Sequence, residues 1–291
     1  MKFLSFLFIL FMALRISAQE LKTITINDEL SKTREEISVL ASDKKIKHGV
    51  YKLYKYDKLQ LEGKYTYNLK DGRWFEYNYN GKDIIKESNY KNDTLQGLYI
   101  EYFSNKKIEK KGNYLNGLKQ GLWEYYDDDH DLFERGSYKN GKEIGEWEFY
   151  YNGDLIQRYN FDDRKLVENN DHSLQENVII YDDLKNPIDT IDVMPMYLGG
   201  IGHLYHFIAN EIEYPRIARD NGIEGTVFVQ LTIDESGNVK SAEIYRGIGG
   251  GCDEESVRVL KLTSGKWIPA YDDGKPIEMK YTQPIKFTLS E

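Results

Sequence analysis

The sequence predicts a mainly β protein that ends in an α+β domain: a β-hairpin repeat array, then a sheet with helices packed on it. Three observations carry this. Between residues 49 and 160 a glycine followed two residues later by an aromatic recurs about every 24 residues. All six prolines lie at 187 or later, outside that periodic region. From Tyr214 to Leu289 the apolar pattern switches between helical and strand spacing.

The chain has 291 residues, enough for two domains, and its 24 tyrosines favour sheet over helix. Its net charge is −9 and no Lys/Arg-rich run stands out, so nucleic acid is not an expected partner. A single cysteine, Cys252, excludes an intramolecular disulfide. At the N-terminus Lys2 precedes an apolar run from Phe3 to Leu14, and Ile16-Ser17-Ala18 leads into Gln19. That layout reads as a cleaved signal peptide over residues 1–18. The alternative is an uncleaved inner-membrane anchor, but the run is about half of the roughly 20 residues a spanning helix needs.

Residues 19–48 are polar and mixed, with a short helix expected over Thr33 to Leu40. The repeats then occupy 49–161. Gly49, Gly72, Gly97, Gly121 and Gly145 stand 23, 25, 24 and 24 apart, followed by Tyr51, Trp74, Tyr99, Trp123 and Trp147. A second set, Gly63, Ser88, Gly112 and Gly136, is followed by Tyr65, Tyr90, Tyr114 and Tyr138. Asn80-Gly81, Asn116-Gly117, Asn140-Gly141 and Asn152-Gly153 supply hairpin-turn chemistry. One hairpin is marginal alone, so neighbours should pair and bury their aromatics along a shared sheet.

Residues 162–190 read as a polar linker, in which Val178 to Tyr181 would add one strand. The C-terminal domain, 191–291, opens with Ile201, Leu204, Tyr205, Ile208 and Ile212 on one face of an amphipathic helix. Pro215 starts a short helix and Asn221-Gly222 stops it. Val227, Val229, Leu231 and Ile233 share one face of a strand, and the turn cluster Asp234 to Asn238 folds Val239 to Arg246 back against it. After Gly247 to Gly251, Cys252, Ser256, Val259, Leu260 and Thr263 recur at helical spacing, with Asp253, Glu254 and Glu255 in the first turn. The last run, Met279 to Leu289, alternates again.

Tyr214 to Asp234, Gly237 to Lys261, Trp267-Ile268-Pro269 and Tyr281 to Phe287 resemble, in that order, the C-terminal domain of TonB proteins, in its Gly-Gly-Gly-Cys-Asp-Glu-Glu variant. The resemblance covers about a third of the chain. It implies a periplasmic module of Gram-negative bacteria that adds the TonB-box segment of outer-membrane TonB-dependent transporters to a sheet edge. The repeats resemble MORN-type repeats, which implies a further, unidentified protein partner for them. A TonB transducer also meets inner-membrane motor proteins through an anchor helix; the short Phe3–Leu14 run and the lack of a long Pro-rich spacer put those partners in doubt.

Pro284 falls inside the last strand and cannot donate to a ladder, which places that strand at an edge or bulge. An edge offers backbone groups to an extended peptide, so Met279, Lys280, Tyr281, Thr282, Gln283, Ile285, Lys286 and Phe287 are the candidate peptide-binding residues. The structural alternative is that Pro284 only blunts the edge. Other constellations are weaker. Gly247 to Gly251 lacks the Lys-Ser/Thr of a phosphate loop, and Cys252 has acids rather than a base beside it. His203 and His206 lack a third ligand, and Asp127, Asp129 and Asp131 lack the Gly and Glu of a calcium loop. No nucleophile, base and orienting group assemble, so neither an enzyme nor a cofactor is expected. The competing reading to a transporter-binding protein is an envelope adaptor whose repeats hold the main partner, without energy transduction.

Overall fold

The computed structural model describes residues 19–171, 191 and 193–289. The expected signal peptide, most of the expected linker and the strand expected over Val178 to Tyr181 lie outside these. The chain folds into two compact units that divide between Lys106 and Lys107. Among the described residues, no helix is long and apolar enough to cross a membrane.

The first unit is an antiparallel meander of β1 (Leu21–Asp28), β2 (Thr33–Leu40), β3 (Lys47–Lys55), β4 (Lys58–Thr66), β6 (Gly72–Tyr77), β7 (Ile84–Lys91) and β8 (Thr94–Tyr102), with β5 (Leu69–Lys70) paired to β4. The helix expected over Thr33 to Leu40 is therefore a strand. Ile37 and Val39 alternate into a cluster with Tyr51 and Trp74, and β2 is paired on both sides, so two ladders outweigh the helix propensity of its two glutamates.

The second unit starts with β9 (Ile108–Leu115), β10 (Leu118–Tyr126), β11 (Leu132–Lys139), β12 (Lys142–Tyr151), β13 (Asp154–Asn160) and β14 (Lys165–Asn169), again in sequence order. β14 extends the array into the segment expected to be linker. Leu166 pairs with Tyr159, and Arg158 reaches Glu168 at 3.4 Å.

The two glycine sets of the repeat have different causes. Gly97, Gly121 and Gly145 have φ of 94°, 69° and 63°, a region that L side chains avoid, and the ladder registers shift beside them. Gly63, Gly112 and Gly136 instead lie under the indoles of Trp74, Trp123 and Trp147. A Cβ on any of the three would stand 2.1–2.2 Å from a ring carbon. Where this set has Ser88, the partner across the ladder is the smaller Tyr99. Asn116-Gly117, Asn140-Gly141 and Asn152-Gly153 take positive φ at both residues, the two-residue hairpin geometry. At Asn80-Gly81 only the glycine does, because Gly81 N–H closes a longer loop on Asn78 O.

The C-terminal domain follows within the second unit. α1 (Gly200–Glu211), α2 (Arg216–Asp220) and α3 (Cys252–Lys261) accompany a three-stranded sheet in the order β17 (Val239–Arg246), β16 (Gly225–Ile233), β21 (Met279–Phe287). Two small ribbons complete it: β15 (Met196–Tyr197) with β18 (Trp267–Ile268), and β19 (Ala270–Asp272) with β20 (Lys275–Ile277). Val227, Val229, Leu231 and Ile233 are fully buried under Leu204, Ile208, Val259 and Leu260. Pro215 sits one residue ahead of α2, as its N-cap.

α1 also fastens this domain to β11–β13. His203 stacks on Phe133 at 3.7 Å, and its Nε2 lies 2.9 Å from Tyr150 O. The buried Gln157 accepts from Gly199 N–H at 2.8 Å, and a Cβ at Gly202 would enter the Tyr151 ring.

Candidate peptide-binding edge

β21 pairs with β16 from Gly225↔Phe287 to Ile233↔Met279, and among the described residues no strand pairs on its other side. The sheet pleat divides the candidate residues. Met279, Tyr281, Gln283, Ile285 and Phe287 are buried on the core face. A peptide can reach their backbone at most, so they serve as anchors of the strand rather than as contact side chains. Burial pushes the Tyr281 phenol well above its ordinary pKa, and its hydroxyl donates to Gln283 Oε1 at 3.2 Å. Lys280 and Lys286 are exposed, while Thr282 and Pro284 are half-buried.

Pro284 fixes which backbone groups face outward. It stands opposite Phe228, and a ladder intact at that pair requires its nitrogen to point away from β16. Its carbonyl is taken by Gln283 Nε2 at 3.0 Å, consistent with an outward orientation. Residues of the same parity, Thr282 and Lys286, then present their amides along the edge. Beside this edge lies a groove of about 540 Å³, lined by Tyr205 and Ile208 of α1 and by Ile212 just after it, with Pro284 and Lys286.

The remaining sequence candidates are structural. Asp253 Oδ1 accepts from Ile248 N–H at 2.8 Å and Gly249 N–H at 3.2 Å, so the chain's own carboxylate fills the glycine loop. Cys252 is buried, and burial together with Asp253 and Glu254 raises its thiol pKa. Asp127 closes a tight turn, its Oδ1 accepting from Asp131 N–H at 2.8 Å. The anchoring role of Gln157 had no signal in the sequence, since it depends on a distant segment that it meets only in the fold; the loop-capping role of Asp253 is local, to amides four and five residues before it.

His203 gives a pH prediction. Burial lowers its pKa from 6.5 to about 4, so the folded state keeps it neutral while the unfolded state binds a proton. With more protons on the unfolded chain, stability rises with pH across this window. The contribution is lost as pH falls from about 6.5 to about 4, by roughly 3 kcal/mol. Comparing urea midpoints of the parent and His203→Gln at pH 7 and pH 4.5 checks this: the gap between the two should shrink at the lower pH. An unchanged gap would show that His203 does not titrate in this way.

Residues 210–289 match the family described as Gram-negative bacterial TonB protein C-terminal. A 77-residue stretch is 35% identical to Protein TonB of Vibrio cholerae serotype O1, covering 26% of this chain and 31% of that protein. The chain thus spans about a third of the length of the curated relative it matches. The run α2–β16–β17–α3 and the last strand β21, with the short strands β18 to β20 between them, lie inside the matched segment. At residues 210–289, then, the chain carries a TonB C-terminal domain.

Proposed function

We propose that this is an exported cell-envelope protein whose C-terminal domain binds the extended N-terminal segment of an outer-membrane TonB-dependent transporter, in service of energy-coupled uptake. The segment adds as a strand along β21. What supports this reading above all is the open edge itself. Thr282 and Lys286 amides face away from β16, beside a groove lined by α1 that can receive alternate side chains. The relative's name, Protein TonB, and the matched family support the choice of partner.

The test is a titration of the purified protein with fluorescent TonB-box peptides from the same organism's transporters, followed by anisotropy. Saturable binding is expected, and a peptide with alternate amides N-methylated should not bind, because it cannot complete the ladder. Equal binding of the methylated peptide would mean that strand addition is not the mode.

A further inference from the structure

Three of the five repeats contain a built-in cation site, while the repeat of Tyr99 has Leu95 at the corresponding place. Lys47, Lys70 and Lys119 each stand four residues before the central aromatic of their repeat: Tyr51, Trp74 and Trp123. Lys70 Nζ lies 4.4 Å from the Trp74 ring centroid and 4.9 Å from Tyr90. Lys119 Nζ lies 4.6 Å from both Trp123 and Tyr138, and Lys47 Nζ lies 5.5 Å from Tyr51 and 5.0 Å from Tyr65. Each cage is closed by tyrosines edge-on to the central ring, as Tyr114 is to Trp123 at 5.2 Å. An ammonium over such faces is held by the ring quadrupole.

The repeat of Trp147 keeps the cage and loses the cation. Tyr138 and Phe161 meet Trp147 edge-on at 5.0 and 5.7 Å. Four residues before Trp147, however, stands Glu143. A cavity of about 340 Å³ opens here, lined by these rings, Glu143, Glu134 and Lys266. Glu134 lines this cavity half-buried, and desolvation raises its carboxyl pKa. The charges of Lys266 and Lys119 offset that shift only in part. An aromatic cage that elsewhere holds a lysine ammonium thus carries two carboxylates and room for a guest.

We infer that this cavity binds a primary alkylammonium group, as a small amine or as the lysine side chain of a peptide, over Trp147 and against Glu143 and Glu134. The site is separate from the β21 edge and does not depend on transporter binding.

The test uses the full chain with ¹⁵N-labelled tryptophan, which gives indole N–H signals for Trp74, Trp123, Trp147 and Trp267. Titrants are n-butylammonium chloride and Nα-acetyl-lysine-N-methylamide, with sodium chloride as the ionic-strength control. The Trp147 signal should shift saturably while the other three follow the salt control; which titrant binds tells small amine from side chain. Glu134→Gln should weaken binding roughly tenfold, the loss of one charge-assisted contact. Glu143→Lys, which restores the pattern of the sister repeats, should abolish binding and raise the melting temperature. The proposal is overturned if neither titrant moves Trp147 beyond the salt control. It is equally overturned if a folded Glu143→Lys variant binds as the parent does, or if binding appears only after Lys266→Met.

Discussion

Trp123→Ala lowers the stability of the second unit by about 3–5 kcal/mol, the loss expected for removing a large buried side chain. The indole is fully buried, covers Gly112, and packs edge-on against Tyr114 and Tyr138 at 5.2 and 6.0 Å. Its Nε1–H donates to Asn113 O at 3.1 Å, so the substitution removes a hydrogen bond as well as packing. Denaturant midpoints measure this directly. An exposed tryptophan used only for partner binding would leave the midpoint nearly unchanged. The contact to Gly112 gives a sharper check. Gly112→Ala alone should cost about 1–3 kcal/mol through overpacking, because its Cβ would enter the indole. In the Trp123→Ala background the same change should be almost free, since the ring is gone. Additive effects of the two changes would show that the cross-strand stack does not couple them.

This pair also shows what in the fold was legible in the sequence. The period of about 24 marks the array because the repeats use two kinds of glycine, one for φ and one for space, the second replaced by Ser88 where the smaller Tyr99 lies across. Both needs are local or one strand away, and they repeat. The C-terminal element order was legible for a similar reason: buried positions fall at helical spacing in α3 and on alternate residues in β16 and β21.

What was not legible depends on long-range partners. Thr33 to Leu40 read as a helix because its own residues permit one; only pairing with β1 and β3 decides for a strand. The packing of α1 on β11–β13 rests on Gln157, His203 and Gly202, residue types that signal nothing until their partners are known. The edge itself was half legible. Pro284 and the alternating pattern pointed to a strand with one open side and one buried face, but which of the eight candidate residues turn their amides outward follows only from the register, with Phe228 opposite the proline. The Trp147 cage was not legible because three of the five repeats place a lysine four residues before the central aromatic while Leu95 and Glu143 depart from it, and the meaning of Glu143 lies in comparison with its sister repeats.

The proposed strand addition predicts three different outcomes from substitutions along β21. Thr282→Pro and Lys286→Pro should leave the domain folded, because their parity with Pro284 places these nitrogens away from β16. Each removes one donor from the edge, and peptide affinity should fall at least tenfold, the order expected when a buried acceptor on the guest loses its partner. Gln283→Pro and Ile285→Pro remove amides of the opposite parity, which face β16 inside the ladder. Those variants should lose about 3 kcal/mol or more of stability and fail to fold cooperatively. Side-chain changes that keep the amide, such as Thr282→Ala or Lys286→Gln, should bind nearly as the parent does, since the ladder supplies most of the affinity. Circular dichroism sorts folded from unfolded variants, and anisotropy with the same TonB-box peptide reads affinity. Folded Thr282→Pro and Lys286→Pro variants with parental affinity would remove β21 as the binding edge. The opposite edge, β17, with Ile244 and Tyr245 exposed, would then be the strand to test next.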